Sequence, residues 1–250
     1  MAFSPTRHDW EFFVSPYHPD SLRAPVDPTA AASHDVVRCS LTWNVFRTFE
    51  QIAPHIWMRP LVARFTGIPH GYRSAPHSVA VSCWRELAPP PPAMLRRHRR
   101  EDVRADVVIE TEDTVLTFVV PTRTELRTTV WADGSDHGLL ELVESTSWLA
   151  GRRDAYTGII MPLEPDDHVW RARIRGRAER LHRTLQARDP SLANVQDVGV
   201  ITWLALADVL LDATQSPIIR DSERQLARCT AEWISAKTRA CSETSLRELA

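Results

Sequence analysis

Four acidic side chains in this chain, Glu50, Asp106, Glu110 and Glu112, are of the type that binds a divalent cation. Asp106 and Glu110 lie four residues apart in an apolar, β-branched run. Strict alternation along a strand would put both on one face. Hard cations such as Mg²⁺ take carboxylate oxygens as ligands, and a bound Mg²⁺ can activate water against a phosphate ester. The cationic side chains are lopsided. Of 30 Lys plus Arg, only Lys237 is a lysine. Arginine stays protonated, so it cannot serve as a base, but its planar fork suits phosphate and can stabilise charge. Arg123 directly follows the apolar run that ends at Val120-Pro121-Thr122. Arg96, Arg97, Arg99 and Arg100 form a compact cluster ahead of Asp106, and Arg171, Arg175, Arg177, Arg180 and Arg183 are spread along one helical stretch. Each set is either a solvated charged surface or a phosphate contact.

The elements that must position these groups can be read from periodicity. Val107 to Ile109 and Val115 to Val120 flank Glu112-Asp113-Thr114, a hairpin signal. Asp106 opens its first strand. Before it, Trp43, Phe46, Phe49 and Ala53 recur every three to four residues, which predicts a helix capped by Ser40 or Thr42. Pro54 ends or kinks that helix, and a second helical piece runs from His55 to Phe65. Ser78 to Trp84 alternates as a strand, and Ala88-Pro-Pro-Pro-Pro-Ala93 reads as a stiff connector. After the hairpin come a helix from His137 to Ala150 closed by Gly151, a strand from Tyr156 to Pro162 and a helix from Asp166 to Ala187. A strand from Val198 to Thr202 and helices over Trp203–Ala213 and Ser222–Arg239 complete the order. Five prolines before residue 30 predict an irregular N-terminal arm over 1–40, a single domain over 41–240 and a C-terminal tail over 241–250. Trp10, Phe12, Phe13 and Tyr17 would anchor the arm on its own domain or on a partner.

Composition narrows the class. The chain has 250 residues, 43% hydrophobic and 25% charged, with formal net charge −2, which suits a globular protein without a global pull toward nucleic acid. Cys39, Cys83, Cys229 and Cys241 have no CxxC spacing, so neither a zinc site nor a disulfide framework is expected, and a reducing cytoplasm fits. The first residues lack the apolar region of a signal peptide, and no run reaches the roughly 18 apolar residues that span a membrane.

The Asp-opened strand, the acidic turn and the next strand resemble the core of the PD-(D/E)XK nuclease superfamily, in which that strand ends in Glu-x-Lys. Thr42 to Glu50 resembles the N-terminal helix of bacterial members, Ser147 to Tyr156 the end of the post-hairpin helix, and Trp203 to Asp208 the closing unit. The resemblance spans about residues 40 to 235. It implies an α/β, restriction-endonuclease-like mixed sheet flanked by helices. It also matches Asp106 to the metal-binding Asp and Glu50 to the helical carboxylate. Val120 then occupies the Glu position and Thr122 the Lys position. Glu141 and Glu144 stand where active relatives often carry a Gln. Three readings follow. One is a catalytically degenerate, non-catalytic nucleic-acid-binding or assembly subunit, in a context such as bacterial genome defence, with no cofactor. The second is an active Mg²⁺-dependent nuclease using Asp106, Glu50, Glu110 and Arg123, with Asp106 and Glu110 as metal ligands. The third is a protein-binding scaffold. DNA or RNA, a protein partner or a second copy are the expected partners, and no membrane is.

Overall fold

The structure is a computed structural model that describes residues 34–68, 72, 74–88, 90, 103–121, 137–161, 175–176, 178–183 and 192–248. Ten elements run in the order α1 (His34–Gln51), α2 (Pro54–Thr66), β1 (Ala80–Leu87), β2 (Val103–Glu110), β3 (Thr114–Val119), α3 (His137–Ala150), β4 (Asp154–Met161), β5 (Val195–Thr202), α4 (Trp203–Thr214) and α5 (Asp221–Glu248). Residues 175–176 and 178–183 are also helical. One five-stranded sheet has the order β1-β2-β3-β4-β5. β1, β2 and β3 form an antiparallel meander, while β3, β4 and β5 are parallel. The protein is therefore mixed α/β, with helices covering the sheet. Among the described residues no helix is long and apolar enough to cross a membrane.

Two apolar cores lie on the two faces of the sheet. Val107, Ile109, Leu116 and Phe118 share one core with residues of α1, α2, α4 and α5. Ala105, Val108, Val115, Ile159 and Val200 share the other with α3 and with Ala178 and Leu181. β3 alternates between the cores, as a strand buried on both faces must. A buried hydroxyl ladder fastens α3 to it, with Thr117 and Thr146 hydroxyls 2.6 Å apart. On the opposite face, Thr48 of α1 meets Thr230 of α5 at 2.9 Å.

The hairpin turn is held by its own side chains. Thr111 donates its backbone N–H to Thr114 O at 2.9 Å, and Asp113 accepts the hydroxyls of Thr111 and Thr114, each at 3.0 Å. α2 begins on Pro54 and ends on Gly67, whose φ of 76° is the left-handed value that favours glycine at a helix C-terminus. Gly158 and Gly199 are opposite partners on β4 and β5. A Cβ on Gly158 would lie 2.2 Å from the Phe65 ring, and one on Gly199 would lie 2.5 Å from Phe65 O. These glycines form the slot into which the end of α2 docks.

The element boundaries differ from the periodicity in informative ways. α1 starts at His34, inside the span expected to be an irregular arm, so Thr42 is a buried helix-interior residue rather than a cap. α5 runs to Glu248, through the expected tail. Periodicity reports the apolar stripe of a helix and fixes its ends poorly.

Candidate functional site

β1 and β2 carry a local distortion at the position of Asp106. Trp84 has φ +54°, a conformation that costs a bulky residue of the order of 1 kcal/mol. The paired register passes from Cys83↔Val107 to Arg85↔Ala105 across it. Sidedness changes at the same level, since Ala105 belongs to one core and Val107 to the other. The Trp84 ring stacks on Trp43 of α1 at 5.8 Å and 2°, and Arg47 lies over the Trp43 ring at 4.4 Å. Stacking and cation–π contacts of this kind contribute about 0.5–1.5 kcal/mol each, enough to hold the strained residue in place.

This platform gathers Trp43, Arg47 and Glu50 along one stripe of α1 with Cys83 and Trp84 of β1 and Asp106 of β2. Arg47 pairs with the Oε2 of Glu50, whose Oε1 accepts the backbone N–H of Val81 at 3.2 Å. β1 is a sheet edge, so Glu50 satisfies an edge donor that has no neighbouring strand. Asp106 Oδ2 accepts the backbone N–H of Val120 at 2.6 Å, a charge-assisted bond that ties β2 to the end of β3. Val120 itself is 1% exposed and part of the core. The Cys83 thiol sits among these groups. Burial raises it most, Arg47 draws it down, and Glu50 and Asp106 push it up further, to about 12. It is a neutral, inert group at physiological pH.

The structure therefore brings Glu50 and Asp106 into one neighbourhood and sends Glu110 elsewhere. Glu110 pairs with Arg85 and with Arg153, the latter at 3.0 Å, in the turn that follows α3. Strict alternation fails here because the strand changes sidedness at Asp106. Even without that change, four residues of strand separate the two by about 13 Å, too far to share an ion. Burial raises the Glu110 carboxyl, but the Arg85 and Arg153 hydrogen bonds outweigh it and leave it below its ordinary value. Glu112 accepts the Ser78 N–H and hydroxyl, at 2.9 and 2.7 Å. Lys237 lies over the Trp233 ring on α5, 5.9 Å from its centroid. Thr122, Arg123, Arg96, Arg97, Arg99, Arg100 and Arg171 lie outside the described residues. Arg175 is exposed and lines a separate cavity beside β5.

A Mg²⁺ site of the kind the resemblance implies needs several oxygens converging on one point. Both Glu50 oxygens are engaged, Asp106 Oδ2 holds a backbone donor, and Val120 has no side-chain oxygen. These residues do not fit such a cation, and no group of three or more His, Cys, Asp or Glu among the described residues is arranged to hold one. Periodicity did not single out Arg47, Arg85, Arg153 or the Trp43–Trp84 stack. The spacing of Trp43, Arg47 and Glu50 at one and two helical turns was the available signal. No family model matches this chain, and neither a curated protein nor a solved structure matches it.

Proposed function

We propose that this chain is a catalytically degenerate protein of the PD-(D/E)XK nuclease-like class, acting as a non-catalytic nucleic-acid-binding or assembly subunit. One observation carries the reading. At the end of β3, where a nuclease of that class would present a metal-binding carboxylate beside its Asp, this chain presents a buried Val120 whose N–H is taken up by Asp106. Asp106 thus works as a strap between strands. The meander, the helix after it and the parallel strand that follows are the element order expected of that class, which supports the ancestry. Arginines supply the phosphate-binding chemistry: Arg175, Arg180 and Arg183 are exposed on the helical stretch before β5.

The test has two arms. Fluorescently labelled duplex DNA and duplex RNA are titrated with protein at increasing salt. Binding that weakens linearly on a logarithmic salt scale is expected, because phosphate contacts release counterions. Cleavage of the same substrates is assayed with Mg²⁺ and with Mn²⁺, and none is expected. Cleavage that disappears in Asp106→Ala would overturn the proposal in favour of an active nuclease with a rearranged site. Absence of binding at low salt would leave a protein-binding scaffold instead.

A further inference from the structure

At the β5 edge of the sheet, a cavity of about 300 Å³ opens between the end of α2, the helical residues 175–176 and 178–183 and the middle of β5. That volume is at the small end of ligand sites. Ile68 brings an exposed apolar side chain to its lining, and Arg175, Glu179 and Arg183 bring charge. His182 lies at its polar end, with Nδ1 3.2 Å from Asp197 Oδ1. Asp197 is oriented in turn by the Val198 N–H at 2.7 Å. A carboxylate at that distance favours a proton on Nδ1 and directs the other ring nitrogen to a different partner. No such partner exists among the described residues: His182 Nε2 is buried and makes no hydrogen bond. Buried polar atoms are usually bonded, so an orphan in a cavity lining is a place where a solvent molecule or a ligand can complete it.

The chemistry of that ligand follows from the lining. Of the two carboxylates in the lining, Asp197 is taken up by the His182 ring, which leaves two guanidinium groups against Glu179 and favours an anion. A protonated imidazole would donate from Nε2, and arginine forks match the oxygens of phosphate. Ile68, which is 54% exposed, offers the lining an apolar surface for an organic portion. We propose that this cavity binds a phosphate monoester, with its phosphate between His182 Nε2 and the Arg175 and Arg183 guanidiniums and its organic portion against Ile68. The source is either a free mononucleotide or the phosphorylated end of a nucleic-acid strand. Asp106 takes no part, so this proposal stands or falls separately from the loss of nuclease chemistry.

The full chain is titrated with each of the four nucleoside 5′-monophosphates, with inorganic phosphate, and with one single strand carrying either a 5′-phosphate or a 5′-hydroxyl. Calorimetry gives affinity, and long-range ¹⁵N–¹H NMR follows the His182 ring. Saturable binding is expected that moves the His182 Nε2 resonance. His182→Ala and Arg175→Gln should each weaken it about tenfold, His182→Gln should recover part of the loss, and Glu179→Gln should tighten it. A mononucleotide preference identifies a free ligand, and a preference for the 5′-phosphorylated strand over the 5′-hydroxyl strand identifies a strand end. If neither probe binds at millimolar concentration, or if binding leaves the His182 resonance unmoved, the proposal is wrong. The NMR reading on the unmodified chain decides this even where a variant fails to fold.

Discussion

The Glu50–Asp106 cluster and the His182–Asp197 cavity stand at opposite edges of the sheet, four strand spacings or about 19 Å apart. Both contain a carboxylate beside a nitrogen-bearing side chain in a half-buried setting. The carboxylates at β1 are engaged by the fold, while Arg47 Nε beside them is buried without a hydrogen bond. Glu50 holds Arg47 and the Val81 N–H, and Asp106 holds the Val120 N–H. The cavity at β5 keeps a buried ring nitrogen without a partner. Polar groups whose bonds are complete stabilise structure, while a buried polar group left incomplete costs stability unless water or a ligand completes it. The carboxylates that resemble a catalytic set are engaged by the fold, and the pair proposed to take a ligand lies where no family motif pointed.

That contrast can be broken most directly at Cys83. A thiol raised to about 12 from 9.0 has about a thousandfold less thiolate near pH 8. Alkylation followed by peptide mass spectrometry should find Cys229, which is exposed, modified long before Cys83. Comparable rates would mean that the β1 cluster opens to solvent and is no closed structural unit.

The next effect in size concerns Asp106. Asp106→Ala leaves the Val120 N–H without its acceptor, and denaturant unfolding should show a loss of about 2–3 kcal/mol with an unchanged slope. A variant as stable as the parent, or more so, would identify Asp106 as a strained functional carboxylate, since such groups are held at a cost to stability.

Glu110 gives a smaller, pH-dependent effect. Its carboxyl is held below its ordinary 4.5 in the folded state. A group lowered on folding contributes stability above its unfolded value and loses it as pH falls through the folded one. Glu110→Gln should cost about 1 kcal/mol at neutral pH, with its partly exposed ion pairs screened by solvent. The stability curves of parent and variant should converge below about pH 4.5. Parallel curves down to low pH would show that Arg85 and Arg153 do not act through charge.

The smallest change is expected at the other edge. His182→Gln should alter stability by no more than about 0.5 kcal/mol, because its amide can replace the Nδ1 donor to Asp197 and Nε2 makes no bond that the fold depends on. A loss as large as that of Asp106→Ala would make the two regions alike and remove the basis for assigning a ligand to the cavity.

The amino-acid sequence was informative about local order. The hairpin was legible because Glu112-Asp113-Thr114 interrupts two β-branched runs, and the turn is closed by the side chains of Thr111, Asp113 and Thr114. The helix carrying Trp43, Phe46 and Phe49 was legible from its buried stripe, and the break at Pro54 from the missing N–H. The pairing of Asp106 with Glu110 was misread. Strand alternation assumes a regular ladder, and one left-handed residue, Trp84 on the neighbouring strand, was invisible to it. The His182–Asp197 pair had no sequence signal, since its members come from a helix and a strand joined only by packing.

By itself, the sequence determined which segments are helices and strands, that two apolar faces must be covered, and that no side-chain oxygen stands at position 120. Those properties depend on residue type and on spacing along the chain, which folding cannot alter. Only the tertiary structure decided which carboxylates are neighbours, which of their oxygens are already engaged, and that His182 retains an unpartnered nitrogen beside a cavity. Hydrogen bonds and desolvation act through distances across the sheet, and the fold sets those distances.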